Sequence, residues 1–191
     1  MTGFAGIRVA TDVIERARGG DERAFSAIYR ALSPAVYTLA LRLVSNRAKA
    51  EDVLQDTFIE VLRSIGGYRG DAALATWVRR IAVSKALMVL RSAWERRGQA
   101  LESAPETRAA TPDAPDTALD LVAALARLPA RSRVVVWLHD VEGYTHDEIA
   151  TLTGTTRSFS KSRLSRARAE LRAHLGEPLP LPASTPVTES C

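Results

Sequence analysis

The stretch YTHDEIATLTGTTRSFSKSRLSRARAELR, Tyr144 to Arg172, decides how this chain folds. Thr145 stands three residues before Glu148, so its hydroxyl can cap a helix start while the carboxylate reaches back to a free backbone amide. Ile149, Ala150 and Leu152 give that helix an apolar side, and Gly154 supplies the backbone freedom that a tight turn between two helices needs. Thr155 or Thr156 then caps a second helix. From Arg157 to Arg172 it carries Arg157, Lys161, Arg163, Arg166, Arg168 and Arg172 against one acid, Glu170. At roughly 100° per residue, Ser160, Leu164, Ala167 and Leu171 form the inward stripe. Ser158, Phe159, Ser162, Ser165 and Arg166 face away from it, and Lys161 flanks them. A capped helix, a glycine turn and a cationic second helix describe a helix-turn-helix, which lays its second helix in a DNA groove and sets its cations on phosphates. The contact candidates are Arg157, Ser158, Phe159, Lys161, Ser162, Ser165 and Arg166.

Composition fits a nucleic-acid binder. The 191 residues and their 46% hydrophobic content suffice for one large core or two small ones. The formal net charge of +4 hides an uneven distribution: residues 1–97 and 117–175 are net basic, whereas 98–116 and the tail are net acidic. Cys191 is the single cysteine, so no disulfide can form within the chain and a reducing, cytoplasmic setting is expected. No apolar run approaches the length of a membrane span, and no apolar leader opens the chain. His139, His146 and His174 lack cysteines or a ligand spacing around them, so no metal and no cofactor is expected.

Residues 98–116, GQALESAPETRAATPDAPD, hold Pro105, Pro112 and Pro115 with Leu101 as the only large apolar side chain, a composition that reads as a flexible linker. The tail 176–191 carries Pro178, Pro180, Pro182 and Pro186 and is expected to be disordered. Two domains follow, 1–97 and 117–175, and both read as helical. Val36, Leu39, Ala40 and Leu43 recur at helical spacing after Pro34. Leu54, Phe58, Val61 or Leu62, and Ile65 do so before Gly66 and Gly67 stop the next segment. A third helix runs from Leu74 to Arg97. The β-branched run Val134–Val136 lacks a pairing partner and is read as helix, which makes the class all-α.

Two further surfaces carry chemistry. On the helix from Ala50 to Ile65, Asp52, Gln55, Asp56 and Glu60 fall mainly away from the apolar stripe with Glu51 near its edge, an acidic face suited to a basic partner. Tyr68, Arg69, Trp77, Arg79, Arg80, Lys85 and Arg91 gather rings and cations in one region, as single-stranded DNA requires. Trp77 lies where an apolar helix face would bury it. Tyr68 and Arg69, beside Gly66, Gly67 and Gly70, are the stronger contact candidates.

Together these motifs resemble the extracytoplasmic-function sigma factors, compact two-domain bacterial transcription initiation factors. AEDVLQDTFIEVLRSI (Ala50–Ile65) is similar to the family's core-polymerase-binding helix, and YRGDAALATWVRRIA (Tyr68–Ala82) to its promoter-melting segment. LPARSRVVVWLHDVEGYTHDEIA (Leu128–Ala150) is similar to the lead into its helix-turn-helix. The resemblance implies that 1–97 binds core RNA polymerase through Glu51, Asp52, Gln55, Asp56 and Glu60, docking on a coiled coil of the largest catalytic subunit. It further implies that this domain opens the minus-ten element with Tyr68, Arg69, Arg79, Arg80, Ser84 and Lys85. The domain 117–175 is expected to bind the minus-thirty-five element, and many members of the family are held by an anti-sigma factor. Ser84 stands where Asn is common, Met88 where Asp is common, and Ser158, Phe159 and Ser160 where Gly, Thr and Val are usual. The helical wheel turns Ser160 toward the core and Phe159 outward, toward a thymine methyl, unless a shifted helix start buries the ring. The alternative is a helix-turn-helix regulator that acts without polymerase. No Ser, Tyr or carboxylate cluster has a catalytic arrangement, so no catalytic residue and no enzyme is expected.

Overall fold

In a computed structural model of the chain, the structure describes Phe4 and residues 6–97 and 123–175; the predicted linker at 98–116 and tail at 176–191 lie outside the described residues. Every regular element among the described residues is helical, in agreement with the all-α reading.

Helix α1, Thr11–Arg18, buries Ile14 and Ala17 and ends at Gly19 and Gly20. Asp21 then caps α2: its carboxylate accepts from the Arg23 and Ala24 amides at 2.8 and 3.1 Å, and from Arg16 Nε at 2.9 Å. These bonds hold its carboxyl below the usual carboxylate range, the Ala24 amide contributing most. Helix α2 spans Glu22–Val44 and continues through Pro34, which the sequence pattern had placed ahead of the periodic segment. A proline inside a helix removes one amide donor. The carbonyl left without it belongs to Arg30, on the exposed side of the helix, where water can serve it. Ile28, Leu32, Val36, Leu39 and Leu43 form a continuous buried stripe across the proline.

Ser45 ends α2 in the left-handed conformation at φ 48°, and Asn46 caps α3 by accepting from the Lys49 amide at 3.0 Å. Helix α3 covers Arg47–Ser64 and inserts Ala50, Val53, Thr57, Phe58 and Val61 between α2 and α4. Thr57 is fully buried, and its hydroxyl is satisfied by donating to the Val53 carbonyl at 2.6 Å. Of the alternatives Val61 and Leu62, the structure chooses Val61; Leu62 is 58% exposed. A 3-10 turn at Ile65–Gly67 leads into a loop in which Gly70 has φ 81°, and α4 follows over Leu74–Arg97.

The second unit begins with helical residues 123–127 and α5, Ala130–Val136, whose valines are buried as helix rather than strand. The helix widens into a π-type turn, Trp137–Val141, before Gly143 at φ 75° reverses the chain. Helix α6, His146–Thr153, opens on the capping box read from sequence: Thr145 Oγ1 accepts from the Glu148 amide at 3.2 Å while Glu148 Oε2 accepts from the Thr145 amide at 2.8 Å. Gly154 at φ 67° closes it. Helix α7, Arg157–Leu175, packs on α5 and α6.

The two units touch directly along a seam built from arginines. Arg133, 1% exposed, donates from Nε to the Leu43 carbonyl of α2 at 3.2 Å and from Nη1 to the Leu128 and Ala126 carbonyls at 3.2 and 3.4 Å. A buried guanidinium is tolerable when carbonyl oxygens accept its hydrogen bonds, as three do here from Nε and Nη1. Arg131 lies over the Trp94 ring, and Arg91 Nη2 donates to the Leu152 carbonyl of α6.

Candidate nucleic-acid and partner interfaces

Three surfaces carry the residues singled out from sequence. The first is the outer flank of α7. Ser160, Leu164, Ala167 and Leu171 are buried against α5 and α6, and this turns Arg157, Ser158, Lys161, Ser162, Ser165 and Arg166 to solvent. The inward stripe is that of the helical wheel, and the outward stripe departs from it only at Phe159. Thr156 Oγ1 accepts from the Phe159 amide at 3.1 Å and fixes the helix start. Phe159 is half-buried, and the Arg163 guanidinium sits 4.9 Å from its ring centroid, so that the ring is shared between the protein surface and a neighbouring cation.

Behind this flank lies a cluster that the sequence did not suggest. His139 and His146 stack with centroids 4.6 Å apart, His146 Nδ1 lies 3.0 Å from the buried Ser160 hydroxyl, and His139 Nδ1 lies 2.7 Å from Asp140 Oδ1. Asp140 in turn takes two bonds from Arg168 of α7. Burial alone would raise the Asp140 carboxyl, but the bonds and charges of Arg168 and His139 outweigh it and hold the carboxyl below its ordinary range. Partial burial, then the neighbouring His139, Lys161 and Arg157, push His146 below the ordinary imidazole value. The stack joins the π-type turn to both helices of the helix-turn-helix. Sequence spacing gave no sign of it, because only the Gly143 reversal brings position 139 over position 146.

The second surface is an open cleft of about 250 Å³ at the start of α4, lined by Tyr68, Arg69, Trp77 and Arg80 around the Gly70 loop. The Tyr68 and Trp77 rings lie 5.3 Å apart at 49°, and the Tyr68 hydroxyl donates to the Ala72 carbonyl at 2.5 Å. Trp77 packs against the core, as its position on an apolar helix face predicts, and its edge also lines the cleft. Arg69 is open, its side chain 83% exposed in a loose pair with Asp71. Arg80 and Ser84 are exposed along the same side of α4, with Met88 beyond them at 59% exposure.

Arg79 and Lys85 are placed differently. Arg79 turns into the seam, where Nη1 donates to the Glu142 carbonyl at 2.9 Å and to its Oε2 at 3.3 Å, beneath the Tyr144 ring. Lys85 pairs with Glu60 Oε2 at 3.1 Å.

The third surface is the outer face of α3. Glu51, Asp52, Gln55 and Asp56 are exposed, while Glu60 is drawn toward α4 by Lys85. Ile59 and Leu62, 46% and 58% exposed, continue the line of Asp52 and Asp56 one and two turns further on. The face is therefore acidic at its start and apolar at its end. The apolar half was missed from sequence because Leu62 also satisfied the core period.

Among the described residues, no group of three His, Cys, Asp or Glu side chains could hold a metal, and no helix is long and apolar enough to cross a membrane.

A helix-turn-helix, an aromatic-cationic cleft and an acidic helix face thus lie on one small helical chain, and the comparisons with known proteins place it among the promoter-specificity subunits of the Sigma-70 type. The Sigma-70 region 2 family model matches residues 28–96, and the Sigma-70, region 4 model matches residues 118–171. The chain is 36% identical over 169 residues to the RNA polymerase sigma factor CarQ of Myxococcus xanthus, covering 86% of this chain and 96% of that one. It is 35% identical over 158 residues to the ECF RNA polymerase sigma factor SigM of Mycobacterium tuberculosis, covering 82% and 80%. The sigma factor RpoE of Bartonella quintana, solved in complex with the anti-sigma factor NepR, aligns with a TM-score of 0.57 at 25% identity over 80% of this chain and 96% of that one. CnrH, solved with the cytosolic domain of CnrY, shares the fold with a TM-score of 0.53 at 24% identity, over 86% and 95%. The chain belongs to the extracytoplasmic-function RNA polymerase sigma factors. It binds core RNA polymerase and directs promoter recognition and transcription initiation.

Proposed function

We propose that this activity is divided among the three surfaces. Residues 1–97 act as the polymerase-docking and promoter-melting domain, 98–116 as a flexible linker, 117–175 as the minus-thirty-five reader and 176–191 as a disordered tail. Glu51, Asp52, Gln55 and Asp56, extended by Ile59 and Leu62, dock on core polymerase; Glu60 contributes through its tie to Lys85. Arg157, Ser158, Lys161, Ser162, Ser165 and Arg166 meet the minus-thirty-five duplex, with Phe159 beside them. Tyr68, Arg69, Arg80 and Ser84 take the opened minus-ten strand, joined by Arg79 and Lys85 once these leave their present partners.

The observation that carries the assignment is the Tyr68–Trp77 cleft. Opening DNA costs about 1.4 kcal/mol per base-pair step, and stacking a displaced base on an aromatic side chain returns roughly 1–3 kcal/mol. Capturing one or two bases there offsets much of the opening cost, while Arg69 and Arg80 neutralise the adjoining phosphates. The chain itself performs no bond chemistry: it positions DNA for the polymerase and acts in the cytoplasm. An anti-sigma partner of the kind seen on RpoE is expected to hold it when idle.

Photo-crosslinkers placed at Arg69 and at Ser165 in reconstituted holoenzyme test the division. Attachment from Arg69 to the non-template strand near minus ten and from Ser165 to duplex near minus thirty-five is expected. Attachment of both to the same stretch overturns it.

A further inference from the structure

His146 opens α6 and is held from two sides. Its Nδ1 lies 3.0 Å from the hydroxyl of Ser160 on α7, a fully buried residue, and its ring stacks on His139 of the π-type turn with centroids 4.6 Å apart. Ser160 stands where the family usually carries Val, which has no hydroxyl to offer, so the bond is a feature of this chain. Charged groups surround the pair. On the π-type turn, His139 Nδ1 is bonded to Asp140, which in turn accepts from Arg168 of α7. The first turns of α7 add Arg157 and Lys161, both exposed. On α6 itself, Asp147 lies 3.7 Å from Arg157, and Glu148 is turned back to the Thr145 amide and hydroxyl. From α4, the charges of Arg80 and Arg79 act on Glu148.

Partial burial, then His139, Lys161 and Arg157, hold His146 below the ordinary imidazole value, while Asp147 pulls the other way. Two of those opposing cations, Lys161 and Arg157, stand on the flank read above as the duplex contact. In a helix-turn-helix the first helix crosses the DNA backbone while the second enters the groove. The Asp147–Arg157 pair sets the starts of α6 and α7 side by side, so one stretch of backbone meets both. Duplex DNA carries about one negative charge per 1.7 Å of its axis. Seated on Arg157 and Lys161, it cancels the field that keeps the imidazole neutral and puts an opposite one in its place.

We propose that His146 is a proton-linked contact of the minus-thirty-five interface: duplex DNA seated on α7 draws one proton from solvent onto the imidazole, so that binding strengthens as pH falls. The proposal rests on the reading of α7 as the duplex contact. The Ser160 hydroxyl can donate to a neutral Nδ1 or accept from a protonated one, so the bond reverses without breaking and α7 keeps its seat. The direction of the pH effect separates this role from packing. A proton on His146 is unfavourable to the free fold, so a residue that served packing alone would leave DNA binding flat or weaken it in acid. A phosphate-linked residue does the reverse. Affinity is constant above the pH at which the bound imidazole titrates, grows as pH falls through it, and levels off below the pH at which the free one does.

The test uses the full chain and a rhodamine-labelled, randomised duplex of about 20 base pairs. Affinity is followed by anisotropy across the imidazole range for wild type, His146→Gln, His139→Gln and Arg166→Ala. Wild type is expected to bind about fivefold tighter at about pH 6 than at about pH 8, inside the limit that one proton sets. His146→Gln should lose that gain, and His139→Gln should keep it. In parallel, isotope-labelled imidazole signals, assigned through His139→Gln and His174→Gln, report the pH at which His146 titrates with and without the duplex; a rise on binding is expected. Equal pH slopes for wild type and His146→Gln overturn the proposal, as does an imidazole that titrates at the same or a lower pH on DNA. If circular dichroism shows His146→Gln unfolded, the imidazole signals of the wild type decide alone. Binding undiminished by Arg166→Ala strikes the wider reading of α7 and the proposal with it, whereas binding that needs Arg166 but lacks the pH gain strikes the proposal alone.

Discussion

Lys85 Nζ lies 3.1 Å from Glu60 Oε2, which ties helix α4 to helix α3. Both side chains are partly open, at 25% and 40% exposure, so the pair contributes at most about 1 kcal/mol after solvent screening. A double-mutant cycle of Lys85→Met and Glu60→Gln, followed by urea unfolding, is expected to give a coupling within that range. A coupling several times larger would make the pair a structural keystone instead.

The outer face of α3 predicts a division between affinity and folding. Reversing Asp52 and Asp56 to lysine is expected to weaken core-polymerase binding by at least about tenfold, because opposed charges at a docked rim become like charges. Leu62→Glu should also weaken it by removing apolar contact. All three positions are exposed, so thermal unfolding should move little. Pull-down titration against core enzyme, paired with melting curves, checks this; unchanged affinity would remove α3 from the interface.

On α7, Arg166 is exposed and sits one turn beyond Ser162. Replacing it by alanine is expected to lower duplex affinity and reduce the slope of log K against log salt by about one unit, the signature of one lost phosphate contact. Titration at several salt concentrations gives that slope. A loss of affinity with the slope unaltered would assign Arg166 to a base edge.

Acid should loosen the second unit. His146 is held below the ordinary imidazole value, so the unfolded chain takes up a proton before the folded one does. The stability associated with neutral His146 is complete above the ordinary value of about 6.5 and is lost as pH falls from there through the lowered folded value. Melting temperature is therefore expected to drop between pH 7.5 and 5.5, and to drop less in His146→Gln, which keeps a polar group toward Ser160 but cannot titrate. Identical pH profiles would remove the histidine stack from the account.

What could be read in the sequence were features made by neighbours along the chain. The Thr145–Glu148 box, the Gly154 turn and the buried stripe Ser160, Leu164, Ala167 and Leu171 are local, set by spacing within one or two helical turns. Pro34 was misleading as punctuation because its helix is held by packing on both sides of it, and packing outweighs one missing amide. Arg79 and Glu142, 63 residues apart, could not be paired from a pattern, nor could His139 and His146, whose stacking depends on the Gly143 reversal. Leu62 was ambiguous for a different reason. A leucine one position off the core stripe looks the same in sequence whether it is buried or kept open for a partner.

The most direct measurement is the mapping of transcript starts from genomic DNA by core polymerase, alone and with this chain. The account predicts discrete new starts with the chain present, preceded by shared minus-thirty-five and minus-ten elements, and their disappearance with the Asp52→Lys, Asp56→Lys variant. The same starts with and without the chain, or starts that survive that variant unchanged, would contradict it.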